Sequence, residues 1–160
     1  MYSKPFLDGV EYYEGFYPRR YLDPVGKWTI GIGHLIVPGD PYTDKTVLTH
    51  DQAVEQLLQD LEQARTGIMR NYPGFTGLTQ SQQEALVSWV FNLGIGRFRE
   101  STMFKRLKAQ QYDAVPSEMA RWVYGTLDNG DRVKLPGLVK RRRWEGNVFA
   151  TGNYTIVTEV

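Results

Sequence analysis

Apolar positions along the 160-residue chain change period at a few punctuated points, and those changes predict its elements. In SKPFLDGVEYYE, Phe6, Val10 and Tyr13 recur at helical spacing behind a capping serine, Ser3. Gly15 follows Glu14 and predicts the end of that helix. Residues 16–37 lose the helical period. FYPRRY, KWTIGIG and HLIV are short, rich in β-formers, and divided by DPVG and Gly33. They predict a small antiparallel sheet with Asp23 in its first turn, where Asp-Pro favours turn initiation. Residues 38–48, PGDPYTDKTVL, predict a loop.

Thr49 with Gln52 then makes a capping box. It predicts a helix of about 20 residues with Val54, Leu57, Leu58, Leu61, Ala64 and Ile68 on its apolar face. At 1.5 Å per residue such a helix can connect two lobes. NYPGFTG breaks it, and a second box, Thr79 with Gln82, opens EALVSWVFNLG. That segment is apolar on nearly every face, which predicts the central buried helix. Shorter helices are predicted at STMFKRLKAQ, around SEMARWVYG, and from Leu138 to Phe149. The tail NYTIVTEV has strand character without an obvious partner. The expected class is α+β, mostly helical, in one domain over residues 1–160. A small sheet-bearing lobe covers about 12–60, and a helical lobe takes about 61–160 plus the N-terminal helix.

Composition narrows the chemistry. With 41% apolar and 23% charged residues the chain has the balance of a soluble globular protein. No stretch approaches the roughly 20 apolar residues of a membrane span. The start, MYSKPFLDGVEYYEG, carries charges where a signal peptide needs an apolar run, so a cytoplasmic location is expected. Cysteine is absent, which removes disulfides, thiolate nucleophiles and cysteine zinc sites. Two histidines, His34 and His50, are too few and poorly spaced for a metal site, so neither metal nor cofactor is expected. The net charge of +1 hides an asymmetry. Residues 1–80 carry seven Lys/Arg and ten Asp/Glu, −3, whereas residues 81–160 carry twelve and eight, +4. Solvated helix charge explains that division as well as a polyanionic substrate does.

EGFYPRRYLDPVGKWTIGIGH holds two carboxylates, Glu14 and Asp23, with eight residues between them, and Thr29 follows after five more. Acids cap turns and glycines serve hairpins, so a purely structural reading exists. Cleaving a glycosidic bond, however, needs a carboxylic acid to protonate the leaving oxygen and an ionised carboxylate across the sugar ring. Glu14 in the last helical turn faces the negative end of the macrodipole, an unfavourable place for a carboxylate. Asp23 in a polar turn has the opposite surroundings. Thr29 on the strand could orient a water. Spacing alone leaves both readings open.

The wider pattern resembles the phage-type lysozymes, glycoside hydrolase family 24. Their opening runs Glu, eight residues, Asp, five residues, then Thr beginning T-I-G-x-G-H, met here by Glu14, Asp23, Thr29, Ile30, Gly31, Gly33 and His34. LTQSQQEALVSWVFNLG is similar to the family's central helix, RFREST to the turn after it, and LPGLVKRRRWEGNVFATG to its closing helix, with RWVY supplying Trp122. The resemblance covers residues 6–152. It implies a two-lobed fold and a muramidase that hydrolyses the β-1,4 bond between N-acetylmuramic acid and N-acetylglucosamine in peptidoglycan. Glu14 is then the general acid, with Asp23 and Thr29 on the water side, and the reaction inverts the anomeric centre. An arginine of the closing helix is expected near the acid, Arg141 being the candidate. Tyr21, Trp28 and Asn92 are candidates for substrate contact.

Other residues take plainer readings. No Gly-Lys-Ser/Thr follows TIGIGH, so it is not a phosphate loop. His34 reads as a hydrogen-bonded structural histidine supporting the site. KRRR at 140–143 reads as solvated surface plus one functional arginine rather than a nucleic-acid patch. Trp89, Trp122 and Trp144 read as core. The expected role is an endolysin that acts as a monomer and reaches the wall from the host cytoplasm once a phage holin has opened the membrane. The alternatives are a chitinase or lytic transglycosylase, and a non-enzymatic wall-binding or tail module. A transglycosylase would need only one catalytic acid, and a binding module would not need Glu14, Asp23 and Thr29 together.

Overall fold

Helix α1, Lys4–Glu14, begins where Ser3 caps it, the hydroxyl accepting the Phe6 N–H at 3.4 Å. It ends at Gly15, which turns to φ +76° while its N–H still reaches Glu11 O at 2.7 Å. The computed structural model describes residues 1–160. After α1 comes a three-stranded antiparallel sheet in the order β1-β2-β3: Tyr17–Leu22, Trp28–Gly31 and His34–Leu35. Helix α2, His50–Asn71, then leads into the helical lobe, with its predicted capping box formed. Its inner face is Ala53, Leu57, Leu61, Ala64 and Ile68, whereas Leu58 is exposed and does not join the core.

The helical lobe is built around α3, Gln80–Leu93, which the second capping box opens. Every residue from Glu84 to Val90 is buried, because other elements cover α3 on several sides. Around it run α4 (Ile95–Glu100), α5 (Thr102–Lys108), α6 (Val115–Met119) and α7 (Pro136–Thr151). Trp89 and Trp144 are fully buried, and Trp122 packs edge-on against Trp89 at 5.4 Å. Gly9 permits α1 to lie on Trp144, since a Cβ there would overlap the indole.

Three expectations need correcting. The helix around SEMARWVYG stops at Met119, and Tyr124–Thr126 instead forms β4, paired antiparallel with β5, Arg132–Lys134. The LDNGD turn between them explains the change, since Asn-Gly favours a tight hairpin. The closing helix starts at Pro136 rather than Leu138, a proline at the first turn being well tolerated. The tail forms no strand. It lies against the helical core instead, where Tyr154, Ile156 and Val157 are partly buried.

Candidate active site

The sheet places Tyr21 directly opposite Thr29 and Leu22 opposite Trp28. Paired residues share a face and neighbours alternate, so Tyr21 and Thr29 project from one side and Trp28 from the other. Trp28 is exposed and carries the Arg20 guanidinium 4.1 Å above its ring. Its indole therefore faces away from Thr29. Thr29 is buried, and its hydroxyl donates to Lys27 O at 3.1 Å, leaving oxygen lone pairs to accept from a water.

Asp23 closes the β1–β2 turn as the Asp-Pro dipeptide predicts. Its Oδ1 accepts the N–H groups of Val25 at 3.0 Å and Lys27 at 2.8 Å. Two backbone donors on one oxygen fix the carboxylate while Oδ2 takes no hydrogen bond from the protein. Across a cleft of about 460 Å³, the turn Leu22–Gly26 faces Leu127–Asn129 of the β4–β5 hairpin. The hairpin closes down on that turn, since Gly125 packs so tightly on Val25 that a Cβ would come within 2.8 Å of it.

Glu14 arrives from the other direction, on the last residue of α1. Its carboxyl group rests on Gly33, where a side chain of any kind would collide with it. Gly33 also has φ +69°, so the second glycine of GIG serves both a left-handed turn and this close approach. Burial, then the charges of Glu14, Tyr17 and Asp23, push the Tyr21 phenol up to about 12. Tyr21 thus lies within electrostatic reach of both carboxylates and keeps its proton.

Behind Glu14 is a buried charge network from α7 and α3. Arg141 Nη1 donates to Glu14 Oε1, and its Nε donates to Glu145 Oε2 at 3.3 Å. Arg141 Nη2 donates to Ser88 Oγ at 3.2 Å, and that hydroxyl donates to Glu145 Oε2 at 2.5 Å. Arg142 donates to Glu145 Oε1 at 2.6 Å and to Asn92 Oδ1. Burial opposes the charge on Arg141, but the carboxylates of Glu14 and Glu145 outweigh it and hold the guanidinium above its ordinary value. Arg142 lacks the Glu14 contact, and burial brings it down to about 10, still charged at neutral pH.

His34 braces the lobe from beneath. Both ring nitrogens lie 2.8 Å from a carboxylate, Nδ1 from Asp60 and Nε2 from Asp40. Ionised carboxylates only accept, so the ring serves both as a doubly protonated imidazolium. The acids and His34 bond each other, and no group of acids and histidines is arranged to hold a metal ion.

Residues 11–145 match the model of the phage lysozyme family. The chain belongs to the phage lysozyme family. The endolysin of Acyrthosiphon pisum secondary endosymbiont phage 1 is 35% identical over 142 residues, 88% of this chain and 91% of that one. The endolysin of Bacillus phage B103 is 31% identical over 152 residues, 94% of this chain, and the chain spans only 54% of that relative's length. Among solved structures, an endolysin from Escherichia coli O157:H7 phage FAHEc1 aligns with a TM-score of 0.83 at 30% identity, over 97% of this chain and 96% of that one.

Within this phage lysozyme fold, Tyr21 links the candidate residues, pairing with Thr29 across the sheet and lying within electrostatic reach of Glu14 and Asp23, while Arg141 bonds Glu14. Asn92 sits behind them, its carbonyl oxygen committed to Arg142. The KRRR segment departs from its expected reading. Arg143 is exposed, but Arg141 and Arg142 are both buried, so the helix turns two arginines inward. Arg142, Glu145 and Ser88 are the functional neighbours that sequence reasoning missed. A signal was present: Glu145 lies four residues after Arg141 and three after Arg142, the spacing at which helical side chains meet.

Proposed function

We propose that this chain is an endolysin that hydrolyses the β-1,4 bond between N-acetylmuramic acid and N-acetylglucosamine. The observation that carries this reading is the unequal treatment of its two carboxyl groups. Glu14 is wedged between Gly33 and Arg141 at a helix end, while Asp23 is pinned through Oδ1 with Oδ2 left free. A glycan strand lying between them would present its bridging oxygen to Glu14, which gives that oxygen its proton as the bond breaks. A water held by Asp23 and Thr29 attacks the anomeric carbon from the opposite face, and Asp23 positions it and takes its proton. The product is inverted. Tyr21, as a neutral phenol near both acids, is the group placed to hydrogen-bond the sugar.

No helix is long and apolar enough to cross a membrane. We place the enzyme in the host cytoplasm as a monomer, with a holin-type partner admitting it to the wall. The test expresses the chain in a Gram-negative host and follows culture density. Lysis is expected only after chloroform is added, and Glu14→Gln should abolish it. Lysis without chloroform would remove the need for a permeabilising partner, and no lysis of permeabilised cells by soluble protein would overturn the enzymatic reading.

A further inference from the structure

Glu14 has to carry a proton to act as an acid, yet it touches a buried guanidinium that favours its charged form. From α7, Arg141 bonds it directly, Arg142 lies within electrostatic reach of it, and Glu145 binds both arginines; from the sheet lobe Tyr21, beside Asp23, faces it. Helix α3 contributes only the uncharged Ser88 and Asn92. Of the fixed charges behind Glu14, two are positive and one is negative. Glu145 is that negative charge, with no exposed surface, and it binds both arginines and Ser88.

We infer that Glu145 is a positioning residue which sets how readily Glu14 holds its proton. It does so in two ways. Its Oε2 grips Arg141 by the Nε edge, so that Nη1 is the part of the guanidinium turned toward Glu14. Its charge leaves the network behind Glu14 at +1 instead of +2. A network at +2 would favour the ionised carboxylate of Glu14 more than a network at +1 does. Ser88 completes the device by donating to Glu145 while accepting from Arg141, which locks their relative orientation. This inference rests on Glu14 being the general acid.

The test is the pH–rate profile of peptidoglycan hydrolysis, whose alkaline limb reports loss of the proton from the acid. Glu145→Gln keeps the shape and one acceptor but removes the charge, so the limb should move to lower pH by roughly one unit or more. Arg142→Gln removes a positive charge and leaves Glu145 paired with Arg141, so the limb should move to higher pH. The double variant restores the network to +1 and should return the limb close to its original position. A merely structural Glu145 would lower rate or stability without opposed shifts and without that return. If Glu145→Gln does not fold, Arg142→Gln carries the test, and an unmoved limb there overturns the inference. Inactive wild-type protein would instead overturn the functional reading on which it rests.

Discussion

Gly33 lies directly beneath the carboxyl group of Glu14, so close that no β-carbon fits between them. The second glycine of TIGIGH is therefore a ceiling on what the acid's neighbour can be. Gly33→Ala should displace Glu14 and also strain a backbone at φ +69°. The strain costs about 1–2 kcal/mol. Displacement of a reacting group by about 1 Å can cost 100-fold in rate. Both a lower melting temperature and a disproportionate loss of turnover are expected. A variant that loses stability but keeps its turnover at low temperature would show that the contact does not position the acid.

His34 makes a prediction about pH. Burial works against its charge, but hydrogen bonds and charge from Asp60 and Asp40 raise its affinity for the proton above the ordinary histidine value. A raised value contributes stability that is complete below about pH 6.5 and is lost as pH rises through the folded value. Burial likewise opposes ionisation of Asp40, and the Val37 N–H and His34 outweigh it, holding Asp40 below the usual carboxylate range. That contribution fades only in strong acid. His34→Gln should therefore destabilise by about 1–3 kcal/mol near pH 5–6, with the difference shrinking toward alkaline pH. Melting curves across pH check this, and a difference that does not vary with pH would contradict it.

Most of this architecture was legible in the chain. Ser3, Thr49 and Thr79 are caps whose signal is local, a hydroxyl followed at fixed distance by a free N–H or a glutamine. The sheet was legible because DPVG and Gly33 interrupt runs of β-formers. The β4–β5 hairpin was not, since RWVYG continues an apolar pattern from SEMA and Gly125 is needed for packing on Val25, which only the folded chain brings near. Glu14, Asp23 and Thr29 stood out through the family resemblance, since their spacing alone also fits capped turns and hairpins. Arg142 and Glu145 were hidden because charged residues on a helix read as surface, and only α3 and α1 packing against α7 makes that face interior. Trp28 was drawn toward the site by its neighbour in sequence, Thr29, whereas strand alternation turns the two apart.

The tail shows the same limit, and it yields a third prediction. Glu84, buried on α3, accepts from Ser3 N–H at 2.7 Å, Ser3 Oγ at 2.8 Å and the Tyr154 hydroxyl. Tyr154 O accepts the Trp144 indole N–H at 3.1 Å, and the Tyr13 hydroxyl both donates to Val157 O and accepts its N–H. One carboxylate thus ties the first helix to the last residues. Tyr154→Phe should cost about 1.5–3 kcal/mol of stability, the range for a hydrogen bond to a charged group. It should leave the pH–rate profile in place. A shifted profile would mean that the tail reaches the site.

The central claim is that Glu14 and Asp23 act from opposite sides of the scissile bond, one on the leaving oxygen and one on water. The most direct test is NMR of the first product released from purified peptidoglycan, before mutarotation mixes the anomers. The account predicts a reducing N-acetylmuramic acid end whose configuration is inverted from β to α, with one water added per bond cleaved. A β product would make Asp23 a nucleophile, and an anhydro end without added water would contradict hydrolysis altogether.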